Sequence, residues 1–385
     1  MQSCVSRPQL LLTRTGTRTR WRPGLPRRCL VSSDIQVPDI KGHGTLLHGL
    51  WAAAEAGRLG HALLLTGPSG VGKFLALERL AEGLLCQNGP GEPCRECPAC
   101  RRVAAGSHPD LLRVDALSHG FEELTIHFVA QREVRPQNAW AGESIETFLR
   151  LVAGEAGWRV VLIRDADRMN EETQNAFLKT LEEPGDQVLL ALETSRPEAL
   201  LDTVRSRLVQ HTVSSLTTAE VSQALAREVP ECSADPEWLR LAGGSPGRLL
   251  SLWRRGAREG LSLLIRAFRE PIQAPSLTAE LLELPGEFKG RTPKAEERNR
   301  VRFLLELGLE VLRDQERLAA GLAGEDVMHA ARLQDCPCPS DAARARRLEV
   351  WLEGRRDVDL NLNPGGVLER VLDSTNSLLL EHQQA

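Results

Sequence analysis

Short apolar runs alternate with amphipathic stretches through the first half of this 385-residue chain, and the alternation predicts a parallel sheet covered by helices on both faces. The first run, Ala62-Leu63-Leu64-Leu65, leads into a glycine-rich loop, after which residues 74–85 repeat apolar positions at helical spacing. Further strands are predicted over 110–115, 158–163, 187–193 and 208–213. Between the third and fourth, Asn170 reads as an N-cap, Glu171 and Glu172 favour the first helical turn, and Pro184 stops the helix, whose Phe177, Leu178 and Leu181 would face the sheet. Another helix is expected from Pro197 to about Arg207. Beyond Ser214 the pattern becomes helix after helix. A small helical unit fits 214–269, a linker 270–276, and a last helical domain 277–385, broken near residues 335–340.

Composition narrows the classes. With 48 basic and 52 acidic residues the net charge is −4, so any contact with nucleic acid must be local. No run approaches the ~20 apolar residues that span a bilayer, and no membrane segment is expected. Residues 1–33 carry seven Arg and no acid. They are expected to lie outside the fold, as a disordered tail, as sequence upstream of the true start, or as an organellar transit peptide. Only five Lys occur in the chain, an Arg bias that upstream sequence from a GC-rich genome would share.

Candidate chemistry begins at Gly67-Pro68-Ser69-Gly70-Val71-Gly72-Lys73-Phe74. In such a loop, successive N–H groups wrap a phosphate, the lysine reaches its outer oxygens, and a following Ser or Thr holds magnesium. Phe74 stands in the hydroxyl's place. At the end of the third strand, where a metal-binding carboxylate is expected, the chain reads Arg164-Asp165, with Asp165 in the second acidic place. Both metal ligands are missing, so the Mg²⁺ site is expected to be absent. Whether Gly67, Gly70, Gly72 and Lys73 hold ATP or ADP without hydrolysis stays open.

Cys86, Cys94, Cys97 and Cys100, spaced C-x7-C-x2-C-x2-C in a Gly/Pro-rich excursion, suit a closed tetrahedral Zn²⁺ site of structural type. Nine cysteines without a secretory signal argue against a disulfide frame. Cys336 and Cys338 read as free thiols.

Several segments together resemble the subunits of the bacterial DNA polymerase III clamp loader, and within them the delta prime branch. They are 60–65 before the loop, the Cys₄ insertion at 86–100, Ser107-His108-Pro109-Asp110, 175–184, Arg205-Ser206-Arg207-Leu208, Gly244-Ser245-Pro246-Gly247 and Asn361-Leu362-Asn363-Pro364. The resemblance runs from about residue 46 to the end. It implies an α/β AAA+ P-loop domain over 34–213 with the zinc knob, a helical lid over 214–269 and an all-α collar over 277–385. It further implies a cytoplasmic hetero-pentamer with gamma/tau and delta subunits that loads the beta sliding clamp on primed DNA. Ser206 and Arg207 match the motif whose arginine reaches the γ-phosphate held by the neighbouring subunit. Thr194 matches a nucleotide-sensing position. Gly247 falls where motor subunits carry a sensing Arg, with Arg248 displaced by one.

Three functions compete. A non-hydrolysing stator fits an intact scaffold with a failed metal site. An active gamma/tau-like ATPase calls for a hydroxyl at 74 and an Asp at 164. A zinc-dependent DNA-binding module calls for a basic and aromatic run around the knob, which the sequence lacks. A helix-end Arg satisfying carbonyls is the plain alternative for Arg207.

Overall fold

The computed structural model describes residues 40–130, 140, 142–151, 154, 157–288, 290, 292–322, 329–333, 336–337, 340–360 and 362–384. The Arg-rich segment 1–33 and Cys338 lie outside the described residues. In chain order the first elements are α1 (Gly44–Glu55), β1 (Ala62–Thr66), α2 (Lys73–Leu84), α3 (Pro98–Ala104), β2 (Leu111–Val114), α4 (Ile126–Val129), α5 (Ile145–Leu149), β3 (Arg159–Ile163), α6 (Glu171–Glu182), β4 (Val188–Thr194), α7 (Asp202–Arg205) and β5 (Val209–Thr212). The five strands form one parallel sheet in the order β2-β3-β4-β1-β5. Because strand side chains alternate between faces, Leu63, Leu65, Val160 and Leu162 pack with α1 and α2 on one side. Leu64, Val161, Ile163 and Leu190 pack with α4 to α7 on the other. This is the α/β class the sequence predicts.

Local signals act as expected in α6. The Asn170 side chain accepts the Thr173 N–H, and Phe177 and Leu181 are buried. The helix expected from Pro197 to Arg207 is instead broken into a 3₁₀ turn, Pro197–Ala199, and the short α7. The break has a local cause: Gln174 accepts the Leu201 N–H at 2.7 Å and donates to the Ala199 carbonyl at 3.2 Å, satisfying backbone groups a continuous helix would have paired.

After β5 every described element is helical: α8 (Thr218–Leu225), α9 (Pro230–Ser233), α10 (Pro236–Ala242), α11 (Pro246–Arg254), α12 (Ala257–Arg269), α13 (Ala274–Glu283), α14 (Pro293–Ala319), α15 (Ala330–Leu333), α16 (Asp341–Asp359) and α17 (Pro364–Gln384). Helix α13 starts inside the expected linker, because Pro275 is tolerated in a first helical turn, where its missing N–H is not needed. One apolar core runs from Leu216 through Leu249 and Leu264 to Val301, Trp351 and Leu372. Helix α14 approaches α16 closely at Gly308, where a Cβ would meet Trp351 at 1.8 Å. Gly308→Ala should therefore lower unfolding stability by about 1–3 kcal/mol, read as a lower urea midpoint at unchanged slope. Among the described residues no helix is long and apolar enough to cross a membrane.

Candidate functional site

Between the glycine loop and the N-terminus of α11 lies a cavity of about 350 Å³. Its apolar end includes Ile40, Leu216, Leu225 and Leu250, and its polar end Lys73, Arg164, Asp165 and Glu193. The loop's shape depends on glycine. Gly67 has φ 143°, and a Cβ there would meet the Val213 carbonyl oxygen at 2.1 Å. Gly70, at φ 76°, faces the Ser245 hydroxyl at 2.5 Å from a would-be Cβ.

Lys73 is buried and fully engaged. Its Nζ donates to the Gly67 and Pro68 carbonyls at 3.0 and 2.9 Å and lies 3.3 Å from Glu193 Oε2. Glu193 is 4 % exposed and accepts the Asp165 N–H at 2.9 Å. Burial pushes its carboxyl up, against the pull of that N–H and of Lys73. Sequence reasoning did not single out Glu193; its one signal is a carboxylate at the end of the apolar run 188–192. The strand order explains its place, since β4 lies between β1 and β3 and pairs Glu193 with Leu65 beside the loop.

Phe74 and Arg164, the residues at the two expected metal-ligand positions, meet each other. The guanidinium carbon sits 5.3 Å from the ring centroid, and Nη1 lies 3.4 Å from Asp115 Oδ2. Asp165 takes a left-handed backbone conformation, φ 48°, which turns its N–H toward Glu193. Thr194 is not free to face the cavity through its hydroxyl hydrogen, because Oγ1 donates to Asp167 Oδ1 at 2.6 Å. Arg196 also holds Asp167, at 2.9 and 2.7 Å. Burial raises the Asp167 carboxyl, but the Thr194 and Arg196 bonds prevail and hold it below the usual carboxylate range.

The start of α11 packs directly on the loop. Ser245 Oγ donates to the Ser69 carbonyl at 2.8 Å, and the Gly247 N–H donates to the Gly70 carbonyl at 2.9 Å. A Cβ on Gly247 would stand 2.9 Å from Gly70 Cα, so a side chain there would push the two segments apart. Arg248 turns to α14 and pairs with Glu310 at 3.2 Å.

Arg207 lies just after α7 and is exposed. Its Nη2 meets Glu182 Oε1 at 2.6 Å, and its Nη1 donates to the Thr203 carbonyl at 2.7 Å, so part of its bonding is that of a helix-end arginine. Ser206 Oγ donates to the same carbonyl at 3.2 Å. Neither residue lines the cavity around Lys73.

The four cysteines converge. The Sγ atoms of Cys86, Cys94, Cys97 and Cys100 all lie within 4.8 Å of one another, with Cys86 and Cys94 3.6 Å apart. Zn–S bonds of about 2.3 Å in a tetrahedron place sulfurs about 3.8 Å apart, so the cluster could hold zinc. The Cys97 N–H donates to Cys94 Sγ and the Cys100 N–H to Cys97 Sγ, both at 3.4 Å, bonds that favour thiolates. Burial presses the Cys97 thiol upward, yet the N–H groups of Cys100 and Gln87 outweigh it and hold it at about 6. Burial raises Cys100.

Residues 42–217 match the family described as DNA polymerase III, delta subunit. The delta prime subunit of DNA polymerase III from Pseudomonas aeruginosa is 34% identical over 226 residues, 58% of this chain and 65% of that one. That of Escherichia coli is 36% identical over 208 residues, 53% of this chain and 58% of that one. The tau/gamma subunit from Haemophilus influenzae is 30% identical over 233 residues, 60% of this chain and 30% of its own length. The chain thus spans less than two thirds of the length of these relatives. A gamma subunit-related protein from Thermotoga maritima aligns over 86% of this chain and 98% of its own at 18% identity and a TM-score of 0.41.

Proposed function

We propose that the chain, whose residues 42–217 match the family described as DNA polymerase III, delta subunit, is a clamp-loader subunit and specifically a delta prime stator: a subunit that does not hydrolyse ATP and lends Arg207 to the nucleotide site of a gamma/tau neighbour. The observation that carries this is the contact between Phe74 and Arg164. A motor subunit needs a hydroxyl and a carboxylate at those places to hold magnesium against the phosphates. Here an aromatic ring and a guanidinium fill them and pack on each other, worth about 0.5–1 kcal/mol at an exposed site. Neither group ligates a cation.

On this proposal 34–213 form the AAA+ body, 214–269 the lid and 277–385 the collar that joins gamma/tau and delta subunits. The pentamer acts on the beta clamp and primed DNA in the cytoplasm. Cys86, Cys94, Cys97 and Cys100 would hold a structural zinc in the knob at the end of α2, and four thiolate ligands would leave it no open position for turnover. Ser206 caps the segment that presents Arg207.

The purified chain alone should show no ATP turnover above a protein-free blank, followed by phosphate release with magnesium present. Turnover at the rate of a motor subunit would overturn the stator assignment.

A further inference from the structure

The polar end of the cavity is already neutral before any ligand enters. Lys73 and Glu193 are both buried and face each other at 3.3 Å, with side-chain exposures of 3% and 6%. Two loop carbonyls, Gly67 and Pro68, take further Lys73 hydrogens, so the ammonium's three donors are all directed at the protein. Glu193 in turn is fixed from the other side by the Asp165 N–H. The Asp165 carboxylate lies near enough to raise Glu193 further. The residues here do not fit the polyphosphate of a magnesium nucleotide. An entering phosphate would have to break the Lys73 bonds and then sit beside a buried carboxylate, a like-charge contact in a low-dielectric place.

We propose that Glu193 is the ligand-selecting residue of this cavity: an internal carboxylate that occupies Lys73 in place of a phosphate and makes the pocket reject nucleoside polyphosphates. The missing metal ligands explain why nothing would be hydrolysed there. Glu193 explains more, namely why the glycine loop does not take up the anion for which its sequence is suited. The outer side of the loop is closed in the same sense by bonds that need no nucleotide, Ser245 to Ser69 and Gly247 to Gly70. The selection is a property of the isolated chain, so it stands apart from the assembly proposed above.

The test is ADP binding by calorimetry to the full chain, with and without magnesium, in the wild type, Glu193→Gln and Glu193→Ala. Circular dichroism and thermal melts confirm that each variant is folded. The wild type should show no saturable binding into the millimolar range. Both variants should bind at least about tenfold more tightly, since a like charge no longer opposes the phosphate, and adding Lys73→Ala should abolish the gain. A merely structural role for Glu193 would not create binding that depends on Lys73. Micromolar ADP binding by the wild type overturns the proposal, and so do folded variants that bind no better than it.

If neither variant folds, the wild type still decides. With only five lysines, a chain carrying labelled lysine Cε gives a readable NMR spectrum, and the Lys73 signal should not move on adding ADP. A saturable shift would show the lysine released to a phosphate and would overturn the proposal.

Discussion

Arg207→Ala should lower the DNA-stimulated ATP turnover of a clamp loader assembled from this chain with gamma/tau and delta subunits by about 10³-fold at the site it serves. The chain itself should be unharmed. Arg207 pairs with Glu182 at side-chain exposures of 37% and 53%, and exposed pairs of this kind contribute about 0–1 kcal/mol. Thermal unfolding and gel filtration of the assembly should therefore match the wild type while turnover falls. Arg207→Lys should rescue little, because an ammonium cannot present two parallel N–H groups to a phosphoryl oxygen pair. Arg205→Ala, which removes a neighbouring guanidinium paired to Asp202, is the control expected to keep turnover. Equal rates for Arg207→Ala and wild type would remove the arginine from the mechanism.

Loss of one cysteine ligand should have the largest effect on stability. Purified protein should contain one zinc per chain by atomic absorption, and Cys100→Ser should contain none. Metal-binding energy on the order of 10 kcal/mol in small zinc modules is folding energy. The excursion at 86–100 has little apolar core of its own, so several kcal/mol of local stability should disappear with the metal. The effect should extend into the body. Gly83 in α2 is in close contact with the Gly91 carbonyl and Trp51, where a Cβ would meet them at 2.0 and 2.5 Å, so the knob is seated on α1 and α2. Amide exchange should accelerate over 86–104 first and then at the end of α2. A zinc-free wild type of the same stability would leave four thiols with no metal role.

The sequence by itself determined the local elements. Apolar runs of strand length, the Asn170 cap, Pro184 and the Cys spacing each act over a few residues, and the corresponding strands, helix and sulfur cluster stand within one or two positions of where the pattern puts them. The Phe at 74 and the Arg at 164 were equally legible, because residue type at those two positions is read directly from the chain. What the chain could not display is which distant groups share a place. That Phe74 and Arg164 touch, that Gln174 breaks the helix after Pro197, and that Gly247 rests on Gly70 follow from elements packed far apart in sequence. Glu193 is the clearest case. In the sequence it is one carboxylate at the end of an apolar run. Only the tertiary order, with β4 between β1 and β3, sets it between Lys73 of the glycine loop and the Asp165 N–H, where burial turns a single charge into the counterion of that lysine.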